Sequence, residues 1–275
     1  MARVAVVGNV SRDVVDGGAP TPGGCPQFAA DAFRRLGHDG QIVTRFATAD
    51  AALFVGLEPV TLLPAAATSG FSMTYDGDER TMTVTGLGQP WRPEDAAVLE
   101  PDVVWVHAAP LLRGDFPPAA LAALGAGRHL SLDGQGLVRR PSVGRLEEDA
   151  AFDPDVLENV TALKLSEHEA GIVAGGAFDL AAAERLGVAE VLLTLGSRGA
   201  VVFADGRETP VGGEAPVTDV HTTGAGDTFM VAYAVFRAQG GDPVDAALAA
   251  ARLVRELLEE RRDKQVSPRS VPSGR

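Results

Sequence analysis

One cysteine, Cys25, is all the thiol chemistry available to this chain, so no internal disulfide can staple the fold. Its neighbours Gly24 and Pro26 place Cys25 in a turn rather than in a reactive-thiol site. Basic charge is scarce as well: 24 Lys and Arg stand against 37 Asp and Glu, a net charge of −13. Such a surface repels polyanions, which excludes nucleic acid and anionic membrane as partners. No apolar run reaches the length of a membrane span. The stretch Met1 to Gly8 lacks a signal-peptide core and cleavage site, so a cytoplasmic location is expected. The five histidines show no metal-ligand spacing, and no internal repeat is present. Two nucleotide motifs are missing too. Only Gly8 follows the first strand where a dinucleotide fold needs G-x-G-x-x-G, and G-x-x-x-x-G-K-[ST] occurs nowhere. Dehydrogenases and P-loop enzymes are therefore disfavoured.

What is present is a 275-residue chain, 45% hydrophobic and 22% charged, long enough to bury the core of one large domain. Strand and helix patterns alternate along it. Val4–Val7 reads as a buried strand, and residues 27–36 place Phe28, Ala29, Ala32, Phe33 and Leu36 at helical spacing before Gly37. Residues 42–46 suggest a second strand, followed by a helix clipped to 51–55. Alternating Phe71, Met73, Tyr75 and then Met82, Val84 around Asp76-Gly77-Asp78 predict a hairpin. Strands at 102–107, 129–132, 191–195 and 200–203 and helices at 119–124, 229–236 and 245–261 complete the pattern. It predicts an α/β fold, a doubly wound and mostly parallel sheet flanked by helices with a small β lid. Residues 263–275 are polar and rich in Pro, Ser and Gly, an expected disordered tail.

The chemistry concentrates in His221-Thr222-Thr223-Gly224-Ala225-Gly226-Asp227-Thr228-Phe229. Gly224-Ala225-Gly226 stands where a loop enters an apolar helix. Unpaired first-turn amides and the helix dipole suit an anion there, and small residues let it approach. Asp227 adds a carboxylate in the same turn. A plain turn with a helix-start acid is the competing reading. An anion nest beside a carboxylate, however, is what phosphoryl transfer to a hydroxyl requires.

The octapeptide Thr222 to Phe229 resembles the C-terminal signature of the PfkB, or ribokinase-like, family of carbohydrate and nucleoside kinases. The resemblance implies a ribokinase-like fold, Asp227 as catalytic base, and Gly224, Ala225 and Gly226 as anion hole. The family usually has Asp where His221 stands, an Asp that helps build a monovalent-cation site, so little response to potassium is expected. Gly8-Asn9, Asp13, Gly23-Gly24 and the helix that follows are similar to the family's N-terminal motif, which makes Asp13, Gly23 and Gly24 candidates for the acceptor hydroxyls. Asp13 could equally cap its own loop. Phe28 replaces the family's sugar-binding Asn, and only nine residues separate Asp13 from Gly23. Both features resemble the inositol-kinase-like branch, as does Asp133-x-Gln135-x-x-x-Arg139, with Asp133, Gln135 and Arg139 or Arg140 as acceptor candidates or ordinary loop polarity. Ser166-x-x-Glu169 occupies the place of the family's magnesium-organising Asn-x-x-Glu; it also reads as a helix N-cap with its capping-box acid. Thr194, Gly196, Ser197 and Gly199 match the ATP-side turn, or form a tight hairpin without a ligand.

The resemblance implies one kinase domain over 1–262 with a lid at about 10–22 and 68–87, ATP and Mg²⁺ as cofactors, and a small sugar, inositol-like polyol or nucleoside as acceptor. A monomer or homodimer is expected. The alternative is a catalytically silent sugar or nucleotide sensor on the same scaffold.

Overall fold

The computed structural model describes residues 2–57, 60–76, 79–212, 217, 218, 220 and 222–266. In chain order the strands and helices are β1 (Arg3–Gly8), β2 (Ser11–Val15), β3 (Thr21–Gly23), α1 (Cys25–Leu36), β4 (Gln41–Ala47), β5 (Thr61–Ala65), β6 (Ser69–Asp76) and β7 (Glu79–Gly86). They continue with β8 (Val103–Ala109), α2 (Pro118–Gly125), β9 (His129–Asp133), α3 (Gln135–Val138), β10 (Gly144–Arg145), β11 (Ala162–Ser166), α4 (Glu167–Ala174) and α5 (Leu180–Arg185). The last are β12 (Glu190–Thr194), β13 (Ala200–Ala204), β14 (Arg207–Val211), α6 (Ala225–Ala238) and α7 (Pro243–Val266).

Nine strands form the main sheet in the order β14-β13-β12-β11-β9-β8-β1-β4-β5. The pairs from β12 to β5 are parallel, and β13 and β14 add an antiparallel margin. Central strands are apolar on both faces because helices cover both. One face packs on α2 and neighbouring segments through Val106, Leu130, Leu163 and Val191; the other packs on α1, α6 and α7 through Val4, Val6, Trp105 and Leu192. Both edge strands carry a proline, Pro64 in β5 and Pro210 in β14, which removes a ladder donor where no further strand pairs. The second sheet, β10-β7-β6-β2-β3, stands where the lid is expected. Its Phe71 and Val84 pack against Leu111 and Leu112.

Several elements differ from the sequence expectation. Residues 48–54 form a 3-10 helix, and α1 and α6 begin earlier, at Cys25 and Ala225. Helix α7 continues to Val266, so the first four residues of the expected tail are helical; 267–275 lie outside the described residues. Among the described residues no helix is long and apolar enough to cross a membrane.

Candidate active site

Because the central strands are parallel, their C-terminal ends gather on one edge of the sheet, and the loops leaving them meet the start of α6. Gly224 caps that helix at φ 77°, a left-handed conformation open to glycine. A Cβ there would also lie 2.3 Å from the Phe28 ring. The loop is fixed by Ala225 N–H donating to Thr222 O (3.0 Å) and by Arg261 donating to Thr223 O (2.8 Å). Of the three amides expected to form an anion hole, that of Ala225 is therefore already engaged. The amides of Gly226 and Asp227 have no backbone acceptor among the described residues and are the open donors of the first turn. His221 lies outside the described residues.

Strand register builds a buried charged cluster beneath Asp227. Asp133 ends β9 and pairs in register with Lys164 of β11; His107 of β8 pairs with Ser131. Alternation points these side chains to the face that α6 covers. Asp133 is fully buried, which corrects its reading as ordinary loop polarity. Lys164 Nζ stands 3.1 Å from Asp133 Oδ1, and His107 Nε2 stands 3.7 Å from Oδ2. Neither approach is aligned as a hydrogen bond, so both Asp133 oxygens and His107 Nε2 are buried without one. Behind them, Trp105 Nε1–H donates to Ser131 Oγ (3.0 Å), which meets His107 Nδ1 at 3.1 Å. Burial opposes ionisation of Asp133, but the charges of Lys164 and His107 overcome it and hold the carboxyl below its ordinary value. Lys164 is likewise penalised by burial and raised by Asp133, Glu169 and Asp227. Asp227 is pushed up, first by burial and then by Asp133, with Lys164 and His107 opposing.

The acceptor candidates surround the start of α1. Asp13 lies directly over Gly23, where a Cβ would stand 2.1 Å from Asp13 Oδ2. Asp13 Oδ1 is buried with no hydrogen-bond partner, and burial raises the carboxyl against the Ser11 hydrogen bond and the Arg139 charge. Gly24, at φ 90°, lets α1 start hard against Asn9 O, 2.7 Å from a would-be Cβ. Phe28, one turn into α1, touches Gly224 and so joins the acceptor side to the anion loop. Arg139 pairs with Glu148 at 3.7 Å, its Nε buried without a hydrogen bond. Gln135 donates one amide N–H to Pro110 O (2.7 Å), which fixes its side chain and leaves its second N–H and its oxygen for a ligand.

On the other side of the loop, Thr194, Gly196, Ser197 and Gly199 open with Ala225 and Gly226 onto one cavity of about 350 Å³. Its far wall is α7, through Leu248, Ala251, Arg252, Arg255 and Leu258. Sequence reading missed this wall; the spacing 248, 251, 252, 255, 258 on one helical face was the available signal. Glu169 is buried in the capping box: its Oε2 accepts from Ser166 N–H (2.8 Å), and Glu169 N–H donates to Ser166 Oγ (3.2 Å). No group of three or more metal-ligating side chains occurs among the described residues.

A mostly parallel sheet between helices, a second five-stranded sheet, and a carboxylate at the start of α6 define a ribokinase-like fold. Residues 132–261, a little under half of the chain, match the family model described as pfkB family carbohydrate kinase. The chain thus has a ribokinase-like fold, and its C-terminal half is similar to that family model. A ribokinase of Arabidopsis thaliana is 27% identical over 179 residues, 60% of this chain but only 44% of that relative. A pyrophosphate-dependent kinase in the ribokinase family, solved with a pyrophosphate analogue and myo-inositol, superposes with TM-score 0.79 and 25% identity over 96% of this chain and 100% of its own. The Arabidopsis thaliana ribokinase complexed with ribose and ATP gives TM-score 0.68 and 23% identity over 92% and 93% of the two chains, a likeness of fold.

Proposed function

We propose that the protein is an ATP-dependent kinase that phosphorylates a hydroxyl of a small polyol, sugar or nucleoside, with an inositol-like ring polyol or a nucleoside favoured over ribose. The observation that carries the proposal is the position of Asp227. It stands in the first turn of α6, where Ala225 and Gly226 line a donor-sized cavity and Gly224 packs on Phe28, in the helix that follows Asp13 and Gly23.

Asp13 accepts hydrogen bonds from acceptor hydroxyls, which supply the partners its buried oxygen lacks. Asp227 takes the proton of the attacking hydroxyl as the new P–O bond forms and the bond from the γ-phosphorus to the departing ADP breaks. The open amides of the α6 first turn stabilise charge on the transferring phosphoryl group. For the donor, Leu248, Ala251 and Leu258 of the α7 wall, which also carries Arg252 and Arg255, support ATP over pyrophosphate, because a purine and ribose can bury apolar area there and pyrophosphate cannot. Mg²⁺ fits the donor set. One buried carboxylate, Glu169, with one oxygen committed to its cap, suits an ion that keeps most of its waters and binds chiefly through donor phosphates. When bound, that ion neutralises phosphate charge. No feature of the site favours the silent-sensor alternative.

Product release measured with ATP or pyrophosphate against ribose, fructose, myo-inositol and cytidine tests the proposal. ATP with myo-inositol or cytidine is expected to lead. Turnover with pyrophosphate alone overturns the donor assignment, a tenfold lead for ribose overturns the acceptor class, and no turnover with any pair overturns the kinase reading.

A further inference from the structure

A buried lysine outside the motifs above stands beside the turn that carries Asp227. Lys164 is 8% exposed, deep in the sheet, in a position where an unpaired ammonium is strongly disfavoured. Its Nζ is 3.1 Å from Asp133 Oδ1 on one side and 3.5 Å from the point where a Gly226 Cβ would lie on the other. The ammonium therefore reaches from a fully buried carboxylate to the open turn that carries Asp227. Asp133 is held in turn by the buried row Trp105, Ser131 and His107. That row has no route to solvent, and Asp133 keeps hydrogen-bonding capacity unused. An ion pair with spare capacity on both sides is a poor stabilising device compared with an apolar pair, so its retention calls for another role.

We propose that Lys164 is the fixed counter-charge of Asp227, keeping the base ionised at the anion turn, and that Asp133 is the residue that positions Lys164. This rests on Asp227 being the base. The charged and titratable groups facing Asp227 come from four elements: Asp133 from β9, Lys164 from β11, His107 from β8 and Cys25 from α1. Glu169, at the start of α4, adds its charge to the surroundings of Lys164. Lys164 and His107 favour the ionised base, and Asp133 opposes it. Removing Lys164 must then drive Asp227 towards its protonated, inactive form. Removing the charge of Asp133 must do the reverse, provided the ammonium stays near the turn.

The test is the pH dependence of kcat in the full chain with ATP and its best acceptor. Lys164→Met is expected to lower kcat roughly 10- to 100-fold at neutral pH, with acceptor KM changed by less than about threefold, and to move the acid limb of the profile about one pH unit upward. Asp133→Asn is expected to move the same limb downward, and Lys164→Arg to restore it towards wild type. A merely structural pair would lower the melting temperature in both variants without moving the limb in opposite directions. Shifts of the same sign, or Lys164→Met with an unmoved limb and near-normal kcat, overturn the proposal. Should Lys164→Met fail to fold, the direction of the Asp133→Asn shift decides alone. Asp227→Asn runs in parallel: wild-type turnover in that variant sinks the base assignment itself, whereas its inactivity beside an unmoved Lys164→Met limb sinks only the counter-charge.

Discussion

The main sheet buries two charged clusters, one towards each end of its parallel strands, and they are built on opposite terms. Away from the site, Glu190 at the start of β12 accepts from Tyr233 O–H and from two nitrogens of Arg237, whose guanidinium lies over the Trp105 ring at 5.6 Å. Arg237 donates also to Gly241 O. At the site end, Lys164 and His107 each stand within ion-pair reach of Asp133, yet Asp133 and His107 Nε2 make no hydrogen bond. Trp105 touches both clusters, stacking on one and donating to Ser131 of the other. The difference teaches how to read buried charge. A cluster that satisfies every polar atom holds helices to a sheet, and one that leaves capacity unspent is set up for a ligand or a proton.

The sharpest break of this comparison is a pair of isosteric amides. Asp227→Asn is expected to cut kcat by roughly 10²-fold or more while ATP binding and melting temperature stay near wild type. Glu190→Gln, at the other end, is expected to leave kcat within about twofold. Calorimetric binding and steady-state kinetics on the two variants decide it, and near-normal turnover of Asp227→Asn refutes the base. Truncation to Glu190→Ala removes the common partner of Tyr233 and Arg237 and leaves a part-buried guanidinium with only Gly241 O. A loss of about 1–3 kcal/mol of unfolding free energy is expected from urea titration, with kcat of the folded fraction unchanged.

Asp115 sharpens the comparison as an intermediate case. Its Oδ2 accepts from Leu111 N–H (2.8 Å) and Leu112 N–H (3.1 Å). Burial nevertheless outweighs these bonds and raises its pKa from 3.8 to about 6. A carboxyl raised on folding contributes stability in full below pH 3.8, and that contribution is lost as pH climbs through about 6. The stability of the wild type relative to Asp115→Asn should therefore fall by roughly 1–3 kcal/mol between pH 4 and pH 7. A difference that does not change across this range shows that Asp115 titrates normally.

The contrast between the two clusters also explains what was legible in the sequence. Motifs contiguous along the chain could be read: the loop entering α6, the capping box of Ser166 and Glu169, and the turn after β12 all bring their residues together locally. The row His107, Ser131, Asp133 and Lys164 could not, because strand register alone joins residues 24 to 31 positions apart. Asp133 was visible as a strand-end acid, but its burial was not, and so it was read as reaching outward. Strand β5 escaped because Pro64 interrupts the β pattern, a residue that only an edge strand tolerates. Helix α7 showed its Ala and Leu but not that one face of it walls a cavity.

The smallest expected effect concerns the residue that joins the two ligand sides. Phe28 lies on α1 one turn after Gly24, and its ring packs on Gly224 so closely that no side chain fits there. An aromatic face at that point offers apolar contact to the C–H side of a ring and no hydrogen bond to a hydroxyl. In place of Phe28, a polar amide would offer ribose the partners its adjacent hydroxyls need, each worth about 1–3 kcal/mol when burial leaves it unpaired. Phe28→Leu keeps an apolar contact with Gly224 but removes the flat ring. It is expected to raise the KM of a cyclic polyol or nucleoside roughly tenfold while kcat changes less than about threefold, a cost near 1.4 kcal/mol. Phe28→Asn should narrow the preference for myo-inositol or cytidine over ribose by a similar factor. Both are read from kcat/KM with the four acceptors under one set of conditions. An unchanged ranking in Phe28→Asn would mean that the ring serves only to seat Gly224, and that acceptor choice lies with Asp13, Arg139 and the lid.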